Sequence, residues 1–344
     1  MKKLRFLFAS LLLVFGNIYA QTTSRSGGSA DYKVLVDDPD NLMPVIIGIN
    51  PLVADVWSTN SYMGIGAFLN INVLKYGSIT IDWKKAYFDG VKGTMAIQNS
   101  NTGKKIKNHR GIEFGLAYNL LSFKRQKKMQ VVLSSSLTFS QTRRTSYTSY
   151  IMVPGTAKRM LQLRGGMTRL KTAMDSYDFN SKSFLFNNDT SIAVKAFTAQ
   201  MQLNYLYAGI SWHTVNNLVL QIGDQGLSTN CNDYNFFFDL FFMPSAISFP
   251  TINFSNVFGA NTFPGGKQKD AVMTLNDNAV LRKTGWRLGW EATKNNIKGA
   301  FTYRVEFGVR PGLMNSKKGL LSATSYMLLS AGFTFPKGKR FGMN

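Results

Sequence analysis

From Met63 to Val73 the odd positions are Met63, Ile65, Ala67, Leu69, Ile71 and Val73, while the even ones from Tyr62 onward are Tyr62, Gly64, Gly66, Phe68, Asn70 and Asn72. Successive side chains of a strand point to opposite faces, so this segment has one apolar face and one small or polar face. The pattern recurs to the end of the chain. Ile112, Phe114, Leu116, Tyr118 and Leu120 oppose Glu113, Gly115, Ala117 and Asn119; Trp286, Leu288 and Trp290 oppose Arg287, Gly289 and Glu291. Phe301, Tyr303, Val305, Phe307 and Val309 oppose Thr302, Arg304, Glu306, Gly308 and Arg310, and Met327 to Phe335 alternates in the same way. Strands of period two without a continuous apolar run fit an all-β chain, an antiparallel transmembrane β-barrel. A secreted β-sandwich also alternates and is the competing fold.

Further strands are expected at Met43 to Ala54, interrupted by Pro51, at Ser78 to Phe88, Met129 to Ser140, Phe197 to Trp212, Leu218 to Ile222, Phe236 to Phe242 and Ile247 to Phe254. Together they give about 12 strands, or 14 if the stretch Thr142 to Lys195 hides a hairpin. Short periplasmic turns fall at Leu74 to Gly77, Lys124 to Lys128, His213 to Asn216 and Thr293 to Lys298. Long extracellular loops fall near 91–109, 142–195 and 256–278, so short and long connections alternate as a barrel requires. Tyr62, Trp83, Tyr87, Tyr118, Trp212, Trp286, Trp290 and Tyr303 suit aromatic girdles at the two membrane surfaces.

Residues 1–20 have a basic start (Lys2, Lys3, Arg5), an apolar stretch from Phe6 to Phe15, and Ala20 before Gln21. This is the make-up of a cleaved export signal; the apolar stretch is too short to span a membrane as a helix. Residues 21–42 read as a flexible periplasmic arm and 43–344 as the barrel, which places the protein in the cell outer membrane. Cys231 is the only cysteine, which rules out an internal disulfide. His109 and His213 have no Cys or carboxylate at ligand spacing, so neither a metal nor a cofactor is expected.

The formal charge is +22. Its positive residues cluster where strands break, at Lys104 to Arg110, Lys124 to Lys128, Arg143 and Arg144, Lys317 and Lys318, and Lys337 to Arg340. A solvated rim, or attraction to phosphorylated headgroups or an acidic partner, accounts for that distribution better than nucleic acid does. The partners expected are outer-membrane lipid and lipopolysaccharide, with periplasmic lipoproteins or secreted surface proteins as further candidates.

The functional suspects are charges on the inward face: Asp82, Lys84, Glu113, Arg287, Glu291, Arg304, Glu306 and Arg310. They could form a salt-bridged plug, or they could set ion preference. No catalytic residue is assigned. The serines lack a nucleophile elbow, and neither a phosphate loop nor a dinucleotide fingerprint is present.

Asn50-Pro51 ahead of a hairpin, the segment Tyr207-Ala208-Gly209-Ile210-Ser211 and the Ala20/Gln21 cut resemble the type IX secretion system membrane proteins. The family's Asn-Pro-Ala-x-x-Gly opening is half met by Asn50-Pro51-Leu52-Val53-Ala54. The resemblance implies a barrel that serves protein secretion, surface-protein delivery or gliding, tied to periplasmic lipoproteins. From the residues alone, an outer-membrane pore or hydrophobic-solute channel is the alternative, and a soluble secreted β-sandwich binding protein the third.

Overall fold

The computed structural model describes residues 23–27, 31–40, 45–57, 61–73, 76–89, 109–140, 143–175, 184–186, 198–223, 226–244, 247, 252–253, 270–271, 273–275, 281–296, 299–313 and 324–337. The export signal expected at residues 1–20, most of the loops expected at 91–109 and 256–278 and most of the strand expected at Ile247 to Phe254 lie outside the described residues.

The main strands are β1 (Thr23–Gly27), β2 (Tyr32–Asp37), β3 (Val45–Trp57), β4 (Ser61–Val73), β5 (Gly77–Asp89), β6 (Arg110–Ser140), β7 (Arg143–Asp175), β8 (Thr198–Ile222), β9 (Leu227–Phe242), β10 (Thr284–Asn296), β11 (Gly299–Val309) and β12 (Ser325–Lys337). They pair in the order β1-β7-β6-β5-β4-β3-β12-β11-β10-β9-β8-β2, and β7 also pairs with β8. That extra pairing closes β3 to β12 into an antiparallel barrel of ten strands, with no free edge in the ring. The seam between the chain's first and last barrel strands is antiparallel, with Phe335 opposite Ile47 and Leu329 opposite Ala54. A two-sheet sandwich is not what forms.

Ten strands replace the twelve to fourteen expected because the middle strands are long. β6 has 31 residues and β7 has 33. The basic segment Lys124 to Lys128, expected as a turn, runs straight through β6, and His213 to Asn216 lies inside β8. The stretch 142–195, expected as a loop or extra hairpin, supplies all of β7. The leader 21–42, expected as a free arm, contributes β1, which runs parallel to β7, and β2, which runs antiparallel to β8. Pro51 does not end β3. The register against β4 slips between Asn50 and Val53, a bulge of the kind that accommodates a residue without an N–H.

The chain packs as two compact units. One comprises Met1–Pro39, Lys124–Ala157 and Asn216–Cys231; the other comprises Asp40–Phe123, Lys158–Val215 and Asn232–Asn344.

In the larger unit the polarity is inverted relative to a protein folded in water. Leu116 is 61 % exposed, Leu240 57 % and Phe333 51 %, whereas Arg287 is 2 % exposed and Asp239 0 %. Along β9 the alternation is plain: Phe236, Phe238, Leu240 and Phe242 face out, and Phe237, Asp239 and Phe241 face in. Tyr87, Tyr118, Trp212 and Trp290 are exposed, as girdle residues must be. Tyr62 is not: it is buried and stacks on His109 with ring centroids 3.6 Å apart. Its even position on β4 puts it on the inner face, and the alternation overrides the residue type.

The smaller unit has the ordinary polarity. Met129 and Val131 of β6, Ile151, Val153 and Ala157 of β7, and Leu218, Leu220 and Ile222 of β8 form its core. Lys124, Arg125, Lys127, Lys128 and Gln130 are exposed. Asp37 fastens the leader by accepting from the Thr156 N–H at 2.6 Å and its hydroxyl at 2.9 Å. Cys231 is buried and donates to the Asn217 side chain at 3.2 Å.

Candidate functional site: a bridged charge cluster in the lumen

Inward positions on neighbouring strands stand side by side, so register decides which charges meet. β10 and β11 pair Glu291 with Arg304, and β5 and β6 pair Asp82 with Glu113. Arg287 of β10 forms the hub. Its Nη1 and Nη2 donate to both oxygens of Glu113 at 3.0 and 2.6 Å, and its Nε donates to Asp239 at 2.7 Å. Glu306 stands 3.8 Å from the same guanidinium.

Arg304 is the second hub. It donates to Glu306 at 2.7 Å and to Asp82 at 3.3 Å, and Lys84 meets Asp82 at 3.0 Å. Arg310, just past β11, makes a two-pronged contact with Asp55 at 2.6 and 3.1 Å and lies 3.6 Å over the Tyr326 ring. A buried charge costs several kcal/mol in lost hydration and is tolerated only when paired with good geometry. Two-pronged guanidinium to carboxylate contacts supply that geometry, which lysine could not.

Rings complete the packing. Arg287 lies 4.4 Å from the Tyr207 ring centroid and Arg164 lies 4.1 Å from that of Phe237. Two glycines make room for them. A Cβ at Gly289 would fall 2.2 Å from the Phe237 ring, and one at Gly115 would fall 2.5 Å from the Tyr207 hydroxyl.

Of the eight charges singled out in the sequence, Asp82, Lys84, Glu113, Arg287, Arg304 and Glu306 join one network. Arg310 pairs apart with Asp55. Glu291 makes no ion pair among the described residues. Sequence reasoning missed Asp55, Asp239 and Arg164, and also the contact between His213 and Asp233. Asp239 carried a usable signal, as a lone carboxylate in phase with Phe237 and Phe241. Arg164 carried none, because its strand was taken for a loop.

The network borders two cavities. The larger, of about 110 Å³, is lined by residues that include Asp82, Glu113, Arg164, His213, Asp233 and Glu291. The smaller, of about 30 Å³, is lined by Tyr62, Lys84, His109, Glu306 and Arg310 among others. Asp82 and Glu113 face both. Both cavities therefore have charged groups of the network on their walls.

No family model and no curated protein matches this chain, so the likeness to type IX secretion system membrane proteins gains no support from them. Among solved structures the chain is similar to the CymD monoaromatic hydrocarbon channel, at 10 % identity over 88 % of this chain and 92 % of that one, with a TM-score of 0.24.

Proposed function

We propose that the chain is an outer-membrane β-barrel channel for small solutes, exported by residues 1–20 and held shut by the Arg287 and Arg304 ion pairs. The inverted polarity of the larger unit supports membrane insertion, because hydrocarbon accepts Leu116, Leu240 and Phe333 on the outside and a closed ring gives each of its strands a neighbour on both sides. The observation that carries the transport reading is the pair of cavities that share Asp82 and Glu113 of the network, since a solid structural plug would leave no polar space beside it.

The test is conductance of the purified protein in planar bilayers. Wild type gives rare, small openings, and Arg304→Ala, which removes the link from Glu306 to Asp82, gives frequent, larger ones. A silent Arg304→Ala protein that is folded and inserted would overturn the channel reading.

A second reading, an accessory component of protein secretion, surface-protein delivery or gliding machinery, is favoured by one observation. The ion pairs tie β5, β6, β9, β10 and β11 together across the lumen, as a barrel that serves as a scaffold would have them. Silence of both proteins, with periplasmic lipoproteins co-purifying from native membranes, is the outcome this reading requires.

A further inference from the structure

We infer that the larger cavity is a binding site for a small organic cation bearing N–H donors, of the size of a primary ammonium ion. The inference deepens the channel reading and rests on it for transport, though not for binding.

Charge comes first. The carboxylates on the cavity wall are Asp82, Glu113, Asp233 and Glu291, against the guanidinium groups of Arg164 and Arg304. Three of the four carboxylates are already met, Asp82 by Lys84 and Arg304, Glu113 by Arg287 and Asp233 by His213, whereas Glu291 has no ion-pair partner among the described residues. Glu291 is therefore the carboxylate on this wall left for a cationic guest to meet.

Hydrogen-bonding capacity is the second, independent observation. The Oδ1 atoms of Asn50, Asn70, Asp82 and Asn235 are buried without a hydrogen-bond partner, and all four residues line this cavity. Asn50 is 6 % exposed. Buried acceptors without donors are costly, and a guest that brings N–H groups relieves that cost. An anion would add to it.

Size is the third. About 110 Å³ holds a guest of a few heavy atoms with a water or two, and excludes large or multiply substituted cations.

The experiment is calorimetric titration of the full-length protein in detergent with methylammonium, tetramethylammonium and acetate as separate probes. Methylammonium binds, while tetramethylammonium, which has charge but no N–H, and acetate do not. Glu291→Gln weakens methylammonium binding about tenfold. Asn235→Leu weakens it too and leaves the carboxylates in place, so the site is tested even where Glu291→Gln fails to fold. Acetate binding as well as methylammonium, or undiminished binding by both folded variants, overturns the site.

The channel reading fails separately. Arg304→Ala openings that favour cations in a salt gradient support both ideas, and openings that favour anions overturn the cation site alone. A silent Arg304→Ala protein that still binds methylammonium overturns the channel alone.

Discussion

Arg287 shows how much one side chain holds. It is 2 % exposed and meets Glu113, Asp239 and Glu306, so truncation takes the two-pronged partner from Glu113 and leaves Asp239 to Arg164 and Glu306 to Arg304. Arg287→Ala should cost about 3–5 kcal/mol, the penalty for breaking a buried pair by removing one partner. Arg287→Lys should recover only a part, because an ammonium cannot span Glu113 with two parallel bonds while reaching Asp239. Urea unfolding from lipid vesicles measures both, and a loss below about 1 kcal/mol for the alanine variant would contradict the hub assignment. The inward charges of β5, β6, β10 and β11 were legible because each interrupts an alternation that is otherwise clean. Which of them would meet was not. That depends on barrel closure and register, since Arg287 and Glu113 are 174 residues apart in sequence.

Strands carry the next level of argument, and β11 gives the sharpest contrast. Thr302 is buried at 4 % on its inner face, and Phe301 and Phe307 are exposed on the face they share with Val305. Val305→Arg, on the proposed lipid face, should cost about 2–4 kcal/mol near mid-membrane, and Thr302→Arg much less. Equal tolerance of the two, measured by the same unfolding assay, would contradict the facing. The smaller unit obeys the opposite rule. Leu220 is fully buried among Val131, Val153 and Leu218, so Leu220→Ala should cost about 2–5 kcal/mol and loosen the protease-resistant core of that unit. These two environments explain which elements the sequence disclosed. β4, β10, β11 and β12 each keep one apolar face over their central residues, and their period is readable. β6 begins with apolar residues at even positions (Ile112, Phe114, Leu116) and later buries Met129 and Val131 at odd ones, with the all-polar Lys124 to Lys128 between. A reader of periodicity breaks the strand there, although the backbone continues.

At the scale of the whole molecule, one chain obeys two solvation rules, and this has a consequence for how it can be handled. Burying apolar side chains is worth roughly 25 cal/mol per Å², and an outer face built from Ile65, Phe114, Leu116, Ile210, Leu240, Phe307 and Phe333 forgoes that gain in water on every strand that carries it. A monomer rarely leaves such a large apolar surface wet, so the larger unit needs hydrocarbon or another copy to cover it. The smaller unit buries a core of its own and exposes its lysines, together with Val34, Val132 and Met152. The chain should therefore stay with the membrane through a carbonate wash and come out only with detergent. A fragment spanning the barrel should aggregate on dilution into plain buffer. Recovery of the intact chain as a dispersed monomer without surfactant would mean that the exposed band is covered by something within the chain. The inverted polarity, and with it the channel and its cation site, would then lose their physical basis together.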